Sequence, residues 1–261
     1  ARGGQILYSD KPSKIIAPGP SWGGEIDVEF PSTRQYAWQQ YFGDPTIGVG
    51  LVYMNLGAEV LGNCVAVYPY FLLHMIDLPH FQFNWKCGFG MSFFNKYYWN
   101  CDTVMDHYYT PQANPLIGSV LNVYLNTGLN VNFPLRDGWA VNAEFGFSHM
   151  SNGSTIKPNM GINMLYGSVG ASYTINDHGY KGGKKEKTFP DLPYAWSLKV
   201  TASGGTRQLY YPDRKNYGVA SFRVGATYKV NNWYAVGGTI DAFYNGSYVK
   251  QGLDTICGLD G

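Results

Sequence analysis

Three residues of this chain have types and spacing that can do chemistry: His149, Ser151 and, across a polar stretch, Asn163. A serine hydroxyl is a weak nucleophile at neutral pH. It needs a neighbouring base, usually His, and a third group to orient that base. Two residues apart on one strand, His149 and Ser151 lie on the same side, about 7 Å apart at the backbone, within reach of each other's side chains. Asn163 can accept a hydrogen bond from His149 and fix its tautomer, as Asn does in Cys-His-Asn proteases. It offers no charge to the imidazolium. Asn152, Gly153 and Asn159 can supply N–H donors to an oxyanion. Taken alone, His-x-Ser is also a pair that caps the loop at a strand end, so the setting has to decide.

The setting is residues 139–165, WAVNAEFGFSHMSNGSTIKPNMGINML. Trp139, Val141, Ala143, Phe145 and Phe147 fall on one face of a strand, and Asn142, Glu144, Gly146 and Ser148 on the other. This is period-two patterning. His149 and Ser151 continue the apolar face. A second strand begins near Gly161, where Asn163 shares a face with Leu165, Val169, Ala171 and Tyr173. In a membrane barrel, those faces point at lipid. A lipid-facing His and Ser are costly unless they sit at the interface or have a task.

The composition fits such a barrel. The chain has 261 residues, 16% aromatic and only 14% charged, with 33 Gly and 22 Tyr. Strands rich in Tyr, Gly and Asn with alternating polarity are the mark of a transmembrane β-barrel. A net charge of +1 gives no global field for nucleic acid. No run approaches the roughly 18–20 apolar residues of a spanning helix. No signal peptide is visible, which suits a mature form or a cytosolic protein. Cys64, Cys87, Cys101 and Cys257 show no CxxC spacing; they can pair in an oxidising envelope or stay free thiols, and the sequence does not assign pairs. His74, His80, His107 and His178 lack metal spacing, so no metal site is expected; Asp102 and Asp106 beside His107 read as a cation ligand set or as a solvated loop.

Strands are expected near 2–9, 25–30, 46–55, 63–76, 80–93, 117–133, 139–151, 161–176, 194–206, 216–230 and 233–246. Glu25, Asp27 and Glu29 alternate with Ile26, Val28 and Phe30, so their side must line a wet or paired interior. Glu144 reads as part of the same interior network. Pro69 predicts a bulge. The run from 117 to 133 sets Ile117, Leu121, Val123, Leu125, Leu129, Val131 and Phe133 against a polar face of Asn122, Tyr124, Asn126, Asn130 and Asn132. It exceeds the five or six residues usual in globular strands, which counts against a soluble sandwich. Arg136-Asp137-Gly138 makes a tight turn, and tight turns in such barrels are periplasmic. The next strand therefore rises outward and delivers His149 to its outer end. Ser221, Arg223, Thr227 and Lys229 are expected to face inward, and Phe222, Val224, Ala226 and Tyr228 outward. Eleven strands with the even-number rule predict a barrel of about twelve, a single outer-membrane domain over 1–261 whose natural C-terminal end is expected to lie beyond it.

His149-Met150-Ser151-Asn152-Gly153, Pro158-Asn159 and Gly161-Ile162-Asn163 resemble the outer-membrane lipid A 3-O-deacylase (PagL-like, acyloxyacyl hydrolase) family. The resemblance covers about 117–176. Trp38-Gln39-Gln40, Gly48 to Tyr53 and Glu59 to Asn63 resemble its larger Bacteroidetes members. It implies Ser151 as nucleophile, His149 as base and Asn152 and Asn159 at the oxyanion positions. The family's triad is Ser-His-Glu, and Asn163 stands where the Glu belongs. Outer-membrane phospholipase A, a twelve-stranded barrel, is similar in its H-x-S-N-G and downstream Asn, but lacks the Pro-Asn-x-Gly-Ile pattern.

The reading that follows is an outer-membrane serine esterase acting on acyl esters of lipid A in lipopolysaccharide, its Ser-His-Asn site facing the outer leaflet and needing no cofactor. The alternatives are a phospholipase of the same site type, with calcium as its cofactor, and an inactive barrel serving as a structural subunit of an outer-membrane complex. Lys157 and, in another loop, Arg207, Arg214 and Lys215 can contact lipid phosphates or be solvated.

Overall fold

The computed structural model describes residues 1–7, 19–33, 36–100, 114–175, 195–209, 215–230 and 234–248. The described strands are β1 (Arg2–Ile6), β2 (Ser21–Phe30), β3 (Thr46–Asn55), β4 (Asn63–Leu78), β5 (Phe81–Phe94), β6 (Leu121–Pro134), β7 (Trp139–Ser151), β8 (Ile162–Tyr173), β9 (Trp196–Gln208), β10 (Asn216–Lys229) and β11 (Ala235–Asn245). A short helix α1 (Ala37–Tyr41) lies between β2 and β3. Strands β1 to β8 form a closed antiparallel barrel. It closes where β1 pairs β8, from Arg2↔Ser168 to Ile6↔Met164.

The barrel therefore has eight strands, not the expected twelve or so. The reason is physical. Eight strands enclose a space that side chains alone can fill, and the inward residues here are large enough to fill it. Tyr68, Tyr70, Tyr124 and Tyr166 are each at most 2% exposed. Inward glycines make room for the rings: a Cβ on Gly50 or Gly88 would collide with Tyr68, and one on Gly48 with Tyr70.

The acidic face of β2 is paired inside the barrel, as its alternation requires. Arg2 Nη1 donates to Glu25 Oε2 at 2.8 Å, and its guanidinium lies 3.4 Å from the centroid of the Tyr166 ring. Lys86 Nζ meets Glu25 at 2.9 Å, Asp27 at 3.4 Å and Glu144 at 3.6 Å. Tyr68 donates to Glu25 and Tyr166 to Glu144, while Tyr70 donates to Glu29 at 2.9 Å. Buried charges survive when each has a partner and its hydrogen bonds are satisfied. Most outward residues are apolar and need no such partners, and Trp85 Nε1 donates to Thr127 Oγ1 at 2.8 Å. Trp85, Leu121, Val123, Phe145 and Val169 are between 37% and 63% exposed, against 3% for Asn122 and 2% for Tyr124.

Two local expectations are corrected. Pro69 sits outward in an unbroken β3–β4 ladder opposite Val49, and the register shift falls between His74 and Ile76. An outward Pro does not need a bulge when the ladder on one side tolerates its missing N–H. Ile117 does not begin β6 or face lipid. It is fully buried, at 0% exposure, in a cluster with Leu56, Leu61, Phe94, Leu116, Met150 and Ile162. This cluster closes the barrel end at which β7 finishes. Asn114 ties it down: its Oδ1 accepts from the N–H of Leu116 at 3.0 Å and of Ile117 at 3.3 Å, and its Nδ2 donates to Lys96 O at 3.0 Å.

Strands β9, β10 and β11 form a three-stranded sheet of their own in the order β11-β10-β9. With the segment Ser154–Lys157 they make a second compact unit. The register stacks Trp196, Leu198 and Val200 beside Tyr228, Ala226 and Val224, and these beside Val236, Gly238 and Ile240, giving one apolar face. The opposite face carries Ser203 against Ser221 at 2.7 Å and Arg223 against Asp241. The expected separation of Ser221, Arg223, Thr227 and Lys229 from Phe222, Val224, Ala226 and Tyr228 is present, but it belongs to this sheet and not to the barrel lumen.

Candidate active site

Strand β7 ends at Ser151 and β8 begins at Ile162, so the loop 152–161 joins two paired staves. Their register sets His149 directly opposite Asn163. On the other side, β6 sets Leu125 opposite His149 and Val123 opposite Ser151. The three candidate catalytic residues thus share the outward face, each partly exposed, among side chains that meet hydrocarbon.

His149 Nδ1 and Asn163 Oδ1 are 2.7 Å apart. An amide oxygen only accepts, so Nδ1 carries the proton and Nε2 keeps the lone pair of a base. The Ser151 hydroxyl accepts from Asn159 Nδ2 at 2.7 Å and from the Gly153 N–H at 3.1 Å. Those donors use both oxygen lone pairs, and the hydroxyl proton remains to be given away. Among the described residues no hydrogen bond joins Ser151 to His149, so proton transfer requires a rotation of the side chains toward each other.

The three expected oxyanion donors are brought together, with different parts. Asn159 and Gly153 aim at Ser151 Oγ. Asn152 contributes its backbone N–H, 3.4 Å from Asn159 Oδ1. Its side-chain Nδ2 is spent on Ser119 Oγ at 2.8 Å. Ser119 is a residue the sequence reading did not single out. Its Oγ donates to Leu121 O at 2.9 Å, and its carbonyl takes Asn122 Nδ2 at 2.8 Å. Leu116 O holds the far side of the loop, accepting from Met160 N at 3.1 Å and Gly161 N at 2.9 Å. The segment 114–119 is therefore the floor on which the loop is mounted. The Asn114-Pro115 pair, a turn-initiating dipeptide, was its one local signal.

Gly161, read from the sequence as the head of a strand and a residue of the motif, has a further role. It sits at φ +75°, and a Cβ there would lie 3.1 Å from His149 Cε1 and 3.4 Å from Ser151 Cβ. Only Gly adopts that conformation without strain and leaves the space between base and nucleophile open.

Of the other expected residues, Glu144 is in the interior network and not in the site. Lys157 and Arg207 both belong to the second unit. Burial first and Arg207 second push the Lys157 ammonium below its ordinary value. Lys215 is at the head of β10, its Nζ 5.5 Å from the centroid of the Tyr217 ring. Arg214, Cys101, Cys257, Asp102, Asp106, His107 and His178 lie outside the described residues. Cys64 is a buried free thiol and Cys87 an exposed one. Among the described residues no group of three His, Cys, Asp or Glu is placed to hold a metal.

Residues 22–172, more than half of the chain and the whole of this site, match the family model described as lipid A 3-O-deacylase (PagL). The chain belongs to that family. A second model, the C-terminal domain of acyloxyacyl hydrolase, matches residues 196–258 and so spans β9 to β11. Among solved structures, that of the outer membrane enzyme PagL is similar over 67% of this chain and 97% of its own, with 18% identity and a TM-score of 0.46. No curated protein matches. Membership in the PagL family, together with the closed barrel and its belt of outward apolar side chains, places the protein in the bacterial outer membrane. Lipid is what surrounds the site there.

Proposed function

We propose that the protein is a serine esterase that hydrolyses an acyl ester of lipid A in the outer leaflet, with Ser151 as nucleophile, His149 as general base and Asn163 as its orienter. The family membership supports acyl ester hydrolysis. The observation that carries the residue assignment is the His149–Asn163 hydrogen bond of 2.7 Å, which leaves the basic nitrogen on the side of the ring away from Asn163.

The steps follow from the donors present. His149 Nε2 takes the Ser151 proton as Oγ attacks the ester carbonyl. The carbonyl oxygen becomes an oxyanion one bond angle away from Oγ. Asn159 Nδ2 and the Gly153 N–H, which now donate to Oγ, are the groups that meet it after a small re-aiming. Collapse breaks the ester C–O bond, and His149 returns its proton to the leaving alkoxide. The resulting acyl-serine is cleared by water, which His149 deprotonates in turn, releasing a fatty acid and restoring Ser151. The outward face, on which His149, Ser151 and Asn163 lie, is the side from which the substrate's acyl chain reaches the site.

Mass spectrometry of lipid A from cells with the protein, without it and with its Ser151→Ala variant tests this. The wild type should produce a species lighter by one acyl chain, and the variant should not. Lipid A of unchanged mass in cells making wild-type protein would rule the reading out and leave the barrel a structural role.

A further inference from the structure

Ser119 lies just before β6 and is buried, at 8% exposure. Its Oγ donates to Leu121 O at 2.9 Å and accepts from Asn152 Nδ2 at 2.8 Å. A hydroxyl has a single proton to give and lone pairs to offer. Giving the proton to Leu121 O leaves a lone pair for Asn152. The backbone of Ser119 is fixed too, because its carbonyl accepts from Asn122 Nδ2 at 2.8 Å, and Asn122 is a buried residue of β6. Asn152 is thus tied by its side chain to the head of β6, while its backbone belongs to the loop that carries the oxyanion donors.

What Asn152 holds is the amide of Asn159. The Asn152 N–H donates to Asn159 Oδ1 at 3.4 Å, and Asn159 Nδ2 donates to Ser151 Oγ at 2.7 Å. A side-chain amide can turn either its oxygen or its NH2 to a neighbour, and its partners decide which. Here the N–H of Asn152 takes the oxygen, so the NH2 meets Ser151. The reverse setting would put a lone pair where the oxyanion forms and repel the charge that a donor stabilises. At 3.4 Å the Asn152 contact is longer than the ordinary N–H···O range, so a small shift of Asn152 breaks it first. Gly153, whose N–H donates to Ser151 Oγ at 3.1 Å, follows Asn152 directly in the chain and moves with it.

We propose that Ser119 is a positioning residue of the reaction: it holds Asn152 so that the NH2 of Asn159, and not its oxygen, meets the oxyanion. It acts through Asn152 and not on the substrate. This rests on the serine-esterase reading for the reaction itself. A buried serine that only satisfied the chain before β6 would matter to folding and not to the rate of the chemical step.

Ser119→Ala, Asn152→Ala and the double variant are compared with wild type for fatty acid release from lipid A in detergent micelles. Asn152→Ala keeps the backbone N–H and removes only the anchor, so it breaks the same bond from the other side. Each single variant should lower kcat about tenfold with KM unchanged, because an oxyanion donor acts in the transition state and not on bound substrate. The double variant should fall no further than either single one, since all three lack the same bond. Heat-dependent migration on gels checks for a folded barrel, and each single variant answers if the other fails to fold. Wild-type kcat in either single variant, or a raised KM with kcat unchanged, overturns the proposal. So does a double variant lowered about a hundredfold, as two independent losses would multiply. Failure of both single variants to fold makes the bond structural and overturns it as well. Lipid A left intact by the wild type sinks the esterase reading itself, whereas an active wild type matched by Ser119→Ala sinks this proposal alone.

Discussion

His149 and Asn163 face each other across the β7–β8 ladder with Nδ1 and Oδ1 2.7 Å apart, on the side of the barrel that meets lipid. A hydrogen bond in that setting is stronger than one in water, because little solvent competes for either partner. It also answers the cost of placing two polar side chains there. One interaction therefore makes the residues tolerable in the membrane and sets the imidazole up as a base.

The chemical step should depend most on the nucleophile and the base. Ser151→Ala and His149→Ala are each expected to lower the rate of ester hydrolysis about a thousand-fold or more. Neither residue belongs to the interior network or the closed end, so both variants should fold. Purified proteins assayed in detergent against an ester substrate give the rates. Wild-type turnover by Ser151→Ala would sink the assignment.

Gly161→Ala probes the space between those two groups. The left-handed conformation at φ +75° costs an Ala about 1–2 kcal/mol. The added methyl must also displace the His149 ring, from which it would start at 3.1 Å. A displacement of this kind far outweighs its effect on folding, since misplacing a catalytic group by about 1 Å can cost about a hundred-fold. The expected result is a fall in kcat of about ten- to a hundred-fold with the barrel intact. A variant with wild-type kcat would show that Gly161 only forms the turn.

Lys86 carries the interior. Its side chain is 4% exposed and is shared among Glu25, Asp27 and Glu144. Lys86→Met leaves three carboxylates facing one another with Arg2 as their remaining cation. Removing one partner of a buried ion pair costs about 3–5 kcal/mol. Urea unfolding of the refolded protein should show a loss in that range, well beyond what an outward substitution such as Val123→Ala produces. Equal unfolding midpoints for the two variants would mean that water or protonation relieves the network.

How much of this was legible in the sequence follows from what each feature depends on. The faces of β2, β5, β6 and β7 were readable because period-two alternation is local: Glu25 had to go inside and His149 had to go outside whatever the rest of the chain did. The cross-strand meeting of His149 and Asn163 was readable too, since a ten-residue loop between two patterned strands fixes the register within narrow limits. Barrel closure was not. Pairing of β1 with β8 is a contact between distant segments, and counting staves gives no hint that the ring closes before β9. The burial of Ile117 was hidden for a related reason. Its alternation runs on into β6, and only the tertiary cluster with Leu56 and Ile162 takes it out of the strand. Gly161 could be read as a strand start and a motif residue, but that its missing Cβ faces His149 depends on the three-dimensional approach of the two strands.

The orienter gives the sharpest prediction. Asn163 fixes the imidazole but has no charge to offer the imidazolium formed as Ser151 attacks. A carboxylate at that position adds such a charge where the dielectric is low, an effect often worth a few kcal/mol. The hydrogen bond survives the exchange in kind, because Nδ1–H donates equally well to a carboxylate oxygen. Against this stands the cost of an ionised side chain on the lipid face, which is smallest at the end of a stave, where His149 and Ser151 sit. Asn163→Ala should therefore lower kcat by about ten- to a hundred-fold, less than Ser151→Ala, through loss of orientation alone. Asn163→Glu should keep or raise the wild-type rate. Single-turnover rates on the three proteins decide it. If Asn163→Ala matches wild type, the 2.7 Å bond is only a membrane-side polar contact, and His149 is oriented by something else. If Asn163→Glu falls as far as Asn163→Ala, charge at this position is worth less than the desolvation it requires.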